Sequence, residues 1–93
     1  MLKLKVRKQF KKDYKKAKKR GLNEEDFKEV VKLLQSNKKL PRKYKDHALT
    51  DSKDYKGMRE CHINPDWLLI YTADKKELIL ELVRAGTHSD LFK

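Results

Sequence analysis

The chain has 93 residues, of which 38% are hydrophobic and 42% are charged. This length fits one compact domain, which we expect to span residues 1–93, and leaves no room for two. The longest apolar run, residues 67–71, is too short to cross a bilayer, which excludes an integral membrane protein. The only cysteine, Cys61, excludes an internal disulfide and a cysteine-built zinc site. The N-terminal segment lacks the apolar core of a secretion signal, so we expect a cytoplasmic protein without a membrane partner.

The net charge of +11 is concentrated at one end of the chain. Residues 1–20 hold eleven Lys or Arg and a single acid, Asp13, whereas the other 73 residues carry fourteen basic and thirteen acidic side chains. Such a block attracts polyanions, because neutralised phosphates release their condensed counterions. RNA, DNA, the ribosome and an acidic protein are all candidate partners, and of these we predict RNA as the ligand of Lys11, Lys15 and Lys18. The alternative is a solvated helix face that keeps the protein soluble.

The first third of the chain predicts a strand and a helical hairpin. Residues 2–6 alternate between apolar and basic side chains, as in a half-buried strand. Phe10, Tyr14 and Ala17 then recur at helical spacing until Gly21, which is a stop signal. Asn23 is a suitable N-cap for a second helix that runs toward Asn37. Its apolar stripe consists of Phe27, Val30, Val31 and Leu34.

The rest of the chain predicts a long loop and three strands. Residues 38–56 show no sustained period and are interpreted as a loop, and residues 58–63, 67–72 and 77–84 are interpreted as strands. Residues 86–92 are too few for a full helix. This order predicts an α+β fold, with a small twisted, mainly antiparallel sheet and the helical hairpin packed on one face. We expect the other face to be uncovered, so that its polar groups face solvent or a ligand.

Three histidines are the residues best suited to chemistry near neutral pH. His47, His62 and His88 each lie close in sequence to an acid or a hydroxyl group. Each alone is typical of a structural histidine, but a pair can act as general base and general acid without a metal. In RNA cleavage the base takes the 2′-OH proton and the acid protonates the leaving 5′ oxygen. The cation that stabilises the phosphate could be Arg59, Arg84 or a charged histidine.

Strand alternation places some of these groups together. Glu60 and His62 share one face of their strand, and the turn that follows brings Asp66 and Trp67 back beside His62. His88 follows the last strand near the same edge. The histidines lack the HxxxH or HxH spacing of a metal site, and we predict neither a metal nor a cofactor.

Two aromatic residues have alternative interpretations. Trp67 can belong to the core or can stack on a base. Phe92 can stack on a nucleobase or can pack the C-terminus against the sheet. Cys61 is interpreted as a small buried hydrophobic residue.

Four ordered motifs carry a family resemblance: YKDHAL at 44–49, RECHI at 59–63, PDWLLIY at 65–71 and GTHSDLF at 86–92. Together with length and element order, they resemble the YafQ branch of the RelE-type toxins. The resemblance implies a RelE-like fold and the toxin of a type II toxin-antitoxin system. The activity it implies is that of an mRNA interferase, which cuts mRNA in the ribosomal A site and inhibits translation. The implied partners are a cognate antitoxin, the ribosome with its rRNA, and mRNA, with operator DNA bound only through the antitoxin complex.

The motifs also carry over the family's functional positions. The implied catalytic residues are His47, His62, Asp66 and His88. In this interpretation His88 is the general acid, Asp66 or His62 is the base, and His47 supports the phosphate charge. We expect further RNA contacts from Glu60, Trp67, Arg84 and Phe92. The chain departs from the usual pattern at Ala48, where proline is common, but no chemical group is lost.

Two other functions compete with this one. The first is a binding module without catalysis, which would bind nucleic acid or an antitoxin and act in operon repression. The second is a ribonuclease that does not need the ribosome. The sequence does not distinguish this ribosome-independent ribonuclease from a ribosome-dependent one.

Overall fold

The computed structural model describes residues 1–92, so that Lys93, the last residue of the predicted domain, lies outside it. A five-stranded sheet has the order β1-β5-β4-β3-β2, in which β1 is parallel to β5 and the other pairs are antiparallel. The predicted α+β class with a mainly antiparallel sheet is confirmed. The strands are β1 Lys3–Val6, β2 His47–Ala48, β3 Arg59–Asn64, β4 Trp67–Asp74 and β5 Ile79–Gly86. The helices are α1 Lys8–Lys19, α2 Glu24–Gln35 and α3 His88–Leu91, with a 3₁₀ turn at Arg42–Tyr44.

The helical hairpin forms as predicted. Asn23 caps α2 by accepting a hydrogen bond from the Asp26 N–H at 3.1 Å. Acidic residues in the first turn of α2 and basic residues in the last turn of α1 complement the two helix dipoles. The apolar stripes of both helices join the main core with one face of the sheet. Their shared aromatic cluster is Phe10, Tyr14 and Phe27.

The second face of the sheet is covered, and the expectation of an uncovered face was wrong. Leu68 and Ile70 of β4 lie on this face, together with Val83 of β5, in a second apolar cluster. The loop before β3 contributes Tyr55 to it, and α3 contributes Leu91. The physical reason is the composition of β4: residues 68–71 are all apolar, so both faces of this strand need burial.

The segment predicted as a loop, residues 38–56, contains more structure than its sequence indicates. The short strand β2 pairs with β3, which places His47 opposite Glu60 and Ala48 opposite Arg59. Asp46 anchors this strand by accepting hydrogen bonds from Arg59 and from the Tyr71 hydroxyl. A strand of two residues is too short to show a periodicity, which is why its sequence resembles a loop.

The edge of β5 is shared between a strand and a helix. β1 pairs with β5 only as far as Leu82, beyond which the edge is open to α1. There the Asp13 carboxylate accepts a hydrogen bond from the Ala85 N–H at 3.1 Å, in the position that a strand carbonyl would occupy. This contact fixes the middle of α1 beside the end of β5. Within residues 1–92, no helix has the length and apolar character needed to cross a membrane.

Candidate active site

An open cleft of about 650 Å³ lies between the β3–β4 turn and α3. The cleft brings together three of the four predicted catalytic residues, His62, Asp66 and His88, with Trp67 beside them. Asp66 and His88 are exposed, and His62 is partly buried. Proton donors and acceptors therefore face a space that is accessible to a polymer.

His47 joins this group through Glu60. The Nε2 atoms of His47 and His62 each lie 3.5 Å from Oε1 of Glu60. The strand pairing explains this arrangement, because His47 is opposite Glu60 and His62 is two residues further along the same face. With its side chain 7% exposed, Glu60 has little surface for the RNA contact predicted for it. Its carboxylate instead lies between the two imidazole rings and links them.

The proton positions of His47 follow from its second ring nitrogen. Nδ1 lies 2.8 Å from the carbonyl oxygen of Lys45. A carbonyl only accepts hydrogen bonds, so Nδ1 carries a proton and donates it, and Nε2 is the basic atom of the neutral ring.

Tyr71 holds the segment before His47 in place through its hydrogen bond to Asp46. Burial and this hydrogen bond raise the pKa of Tyr71, so that its hydroxyl stays protonated and remains a donor.

His88 is positioned by the capping of α3. Thr87 and Asp90 form a capping box, in which the Thr87 hydroxyl accepts from the Asp90 N–H and Asp90 accepts from the Thr87 N–H. The hydrogen bond from the Thr87 backbone, with help from Arg20, lowers the pKa of Asp90. His88 is the first residue of this short helix and contacts the Phe92 ring, with 5.0 Å between ring centres.

The two aromatic residues occupy different positions. Phe92 is partly buried and packs edge-to-face on Tyr55, with ring centres 5.6 Å apart, as expected if it holds the C-terminus against the sheet. Trp67 packs on the main core and also lines the cleft. Base stacking by either residue stays a prediction.

Arg84, a predicted phosphate ligand, is engaged inside the protein. Its Nε and Nη2 donate to the two carboxylate oxygens of Asp13 at 2.8 and 3.2 Å, and its Nη1 donates to the Tyr55 hydroxyl at 3.4 Å. Burial raises the pKa of Asp13, but the hydrogen bonds from Arg84, Gln9 and the Ala85 N–H outweigh it, so the pKa lies below its ordinary value. Arg84 lines a separate depression beside the cleft.

The basic helix presents its charges in two directions. Lys11, Lys15 and Lys18 are exposed on α1, and Lys18 forms an ion pair with Glu24 of α2 at 3.3 Å. Arg20, at the end of α1, lines the cleft itself. Sequence reasoning counted Arg20 in the basic block without singling it out. The available signal was its position directly before the hairpin turn at Gly21.

Within residues 1–92, no three His, Cys, Asp or Glu side chains are arranged to hold a metal ion.

The four predicted catalytic residues form two neighbouring sets. His62, Asp66 and His88 line the cleft, while His47 is linked to His62 by Glu60. The arrangement can take up a proton at one point of the cleft and release one at another.

Comparison with known proteins gives consistent matches. The model of a family described as "Bacterial toxin of type II toxin-antitoxin system, YafQ" matches residues 2–93. The mRNA interferase toxin YafQ of Escherichia coli (strain B / BL21-DE3) is 45% identical over 85 residues, which cover 90% of this chain and 88% of that protein.

Solved structures give the same result. YafQ in a crystal structure of the E. coli DinJ-YafQ complex is similar with a TM-score of 0.87 and 39% identity, over 100% of both chains. A metal-bound toxin from Helicobacter pylori gives a TM-score of 0.88 and 43% identity, over 99% of this chain and 100% of that one.

Proposed function

This chain belongs to the YafQ family of bacterial toxins of type II toxin-antitoxin systems, and we propose that its histidine-lined cleft cuts mRNA on the ribosome. The protein is an mRNA interferase, and thus an endoribonuclease. The observation that carries the proposal is the convergence of His62, Asp66 and His88 on one cleft. Proton transfer from positioned side chains of these types accelerates reactions by about 10²–10⁴-fold.

The reaction is an attack by the 2′ oxygen of RNA on the adjacent phosphorus. A base takes the 2′-OH proton, the bond from the 2′ oxygen to phosphorus forms, and the bond from phosphorus to the 5′ oxygen breaks. The acid gives its proton to the departing 5′ oxygen. The products are a 2′,3′-cyclic phosphate and a 5′-OH end, and electrons and protons balance without a redox partner.

The proposed roles are those implied by the family resemblance, and the positions of the residues in the cleft support them. His88, exposed on α3, is the acid that protonates the 5′ oxygen. Asp66 or His62, across the cleft, is the base. His47 supports the phosphate charge and shares the Glu60 carboxylate with His62.

The RNA chain extends beyond the cleft in this proposal. Trp67 and Phe92 offer aromatic surfaces for bases, and Arg84 borders the path of the strand from the neighbouring depression. The basic residues of α1, among them Lys11, Lys15 and Lys18, bind rRNA phosphates through an electrostatic term that depends on salt.

The partners follow from the family and from its relatives. The E. coli YafQ structures include complexes with DinJ. The partner of this chain is a cognate antitoxin, which neutralises it and joins it in binding operator DNA. The substrate, mRNA on ribosomes, places the protein in the cytoplasm.

The test is primer-extension mapping of a reporter mRNA in a translation extract. Wild-type protein is expected to cut only while ribosomes translate, and both His88→Ala and His88→Gln should lose about 10²-fold or more of the cleavage rate. Circular dichroism and ribosome binding serve as controls for folding. Unchanged cleavage by both variants would contradict the role of His88.

The same assay separates the competing functions. Cuts in purified RNA without ribosomes would indicate a ribosome-independent ribonuclease. Tight binding to ribosomes or to an antitoxin without any cut would indicate a binding module.

Catalysis is proposed to need no metal ion held by the toxin, since histidines and carboxylates supply both proton transfers. Ribosomes require Mg²⁺, so the toxin alone is treated with a chelator, its metal content is measured, and it is returned to the translation assay. The expected cleavage rate stays within about twofold of the untreated protein. A loss that Cu²⁺ restores would contradict this proposal, and the copper-bound mutant toxin from H. pylori makes this ion a relevant probe.

A further inference from the structure

The cleft that holds the candidate catalytic groups contains one fixed positive charge. Among residues 1–92, Arg20 is the only Lys or Arg that lines this cleft, whereas Asp66 and Asp90 both contribute carboxylates. An RNA phosphate carries a negative charge, and further charge develops on its oxygens as the 2′ oxygen attacks. Without Arg20, the carboxylates of Asp66 and Asp90 would remain in the cleft, and they would repel the negatively charged phosphate of the RNA.

The guanidinium of Arg20 is held in a defined orientation. Nη1 lies 3.0 Å from Oδ2 of Asp90, and Cζ lies 5.1 Å from the centre of the Trp67 ring. An aromatic face on one side and a carboxylate at one end restrict the side chain, which limits the entropy lost on binding a ligand. Within residues 1–92, the side-chain hydrogen bonds of Arg20 engage Nη1 alone. With its side chain 46% exposed, the group has further N–H donors for an anion.

The other two arginines considered for this role are committed elsewhere. All three guanidinium nitrogens of Arg84 donate to Asp13 or Tyr55, and Arg84 lines a different depression. Arg59 donates to Asp46 and lines a depression on another side of the sheet. Neither Arg59 nor Arg84 lines the cleft.

We propose that Arg20 binds the scissile phosphate in this cleft and stabilises the charge that develops on its non-bridging oxygens. The inference rests on the proposed function, since it assigns the cation of the same reaction. Arg20 donates N–H hydrogen bonds and transfers no proton. The base, the acid and the two phosphorus–oxygen bonds are those of the reaction given above. Removal of one such preorganised donor typically slows a reaction by about 10²–10³-fold.

The chain offers a closely matched control in Arg7. Arg7 also lies at an end of α1, its side chain is 45% exposed, and it forms one ion pair, with Glu81 at 3.1 Å. Arg20→Ala and Arg7→Ala therefore remove the same charge and a similar ion pair, but only Arg20 lies in the cleft.

The experiment measures single-turnover cleavage of ribosome-bound mRNA at saturating toxin, with ribosome affinity measured separately. Arg20→Ala is expected to cut about 10²-fold more slowly, with an affinity within about threefold of wild type. Arg7→Ala is expected to cut at a rate within about twofold of wild type. Arg20→Lys should be faster than Arg20→Ala because it keeps the positive charge.

Two results would overturn the assignment. The first is that Arg20→Ala cuts mRNA as fast as Arg7→Ala. The second is that Arg20→Lys cuts no faster than Arg20→Ala. In each case wild-type cleavage shows that the proposed function stands. If wild-type protein cuts no mRNA, the proposed function fails and the role of Arg20 fails with it.

Discussion

Asp13 is the only acid in the first twenty residues, and it is also the most fully engaged carboxylate of the fold. Its side chain is 9% exposed and accepts hydrogen bonds from Arg84, Gln9 and the Ala85 backbone. One residue thus neutralises a partly buried arginine and completes the hydrogen bonding of a strand edge. A basic helix can pack against the sheet at this position because Asp13 is present.

We expect Asp13→Asn to lower the free energy of unfolding at pH 7 by about 2 kcal/mol, because it leaves Arg84 partly buried without its counter-charge. The pKa of Asp13 in the folded protein lies below its ordinary value of 3.8. The stabilisation is therefore complete above that value and is lost as the pH falls below it. The difference between variant and wild type should shrink below about pH 3.8. Urea unfolding at several pH values measures it.

The control for this prediction is Asp51→Asn, which makes the same change on an exposed loop. Its free energy of unfolding should lie within about 0.5 kcal/mol of wild type. An equal loss in both variants would contradict the role assigned to the Asp13 contacts.

Single residues also mark the limit of what the sequence predicts. Strand alternation correctly places Glu60 and His62 on one face, since a period of two fixes which side chains are neighbours. Arg20 could not be separated from the adjacent lysines in the same way. Charge and exposure are alike along this block, and only the packing of α1 against β5 decides which residue reaches the cleft.

At the scale of elements, α3 is a single turn whose position depends on its cap. A helix this short is not stable by its own hydrogen bonds, so the capping box and the burial of Leu91 hold it in place. His88 has its orientation from this turn. The catalytic role proposed for His88 thus depends on a few local contacts.

We expect Thr87→Ala to lower the local stability of α3 by about 1 kcal/mol, because it removes the side-chain acceptor for the Asp90 N–H. Hydrogen exchange of the Leu91 and Phe92 amides, which donate to carbonyls of this turn, should accelerate about fivefold. Thr50→Ala, the same substitution at an exposed loop position, should leave these rates unchanged. Equal exchange rates in the two variants would indicate that the cap does not stabilise the turn.

The helices and strands differ in how clearly the sequence predicts them. The two long helices and the strands β3, β4 and β5 have enough residues for a period to appear. The strand β2 has only two residues, and its pairing depends on Asp46 meeting Arg59 and Tyr71, residues 13 and 25 positions away. Such contacts exist only in the folded chain, as does the cover that Tyr55 provides for the second face.

For the whole molecule, the uneven charge predicts a strongly salt-dependent association with the ribosome. Substitution of Lys11, Lys15 and Lys18 by alanine should reduce the slope of log affinity against log salt by about 2, if each lysine neutralises one phosphate. Lys18 contributes least, because it already pairs with Glu24. Ribosome pelleting over a series of salt concentrations measures the slope.

A second triple variant serves as the control. Lys28, Lys32 and Lys76 are exposed and lie outside α1, so their substitution by alanine changes the net charge by the same amount. We expect this variant to change the slope of log affinity against log salt by less than the α1 variant does. Equal changes in both variants would mean that total charge, and not the position of α1, determines ribosome binding.

The parallel pairing of β1 with β5 joins the two ends of the chain, since Lys3 lies opposite Ile79 and Val6 lies opposite Leu82. Contacts of such large sequence separation form late, because the whole intervening chain must be present first. During synthesis, β5 and α3 emerge from the ribosome last, and Arg84, Ala85 and His88 emerge with them. A nascent chain therefore lacks both the partner of Asp13 and the second wall of the cleft. The cleft is thus assembled only after the ribosome has translated the last codons of the message that encodes it.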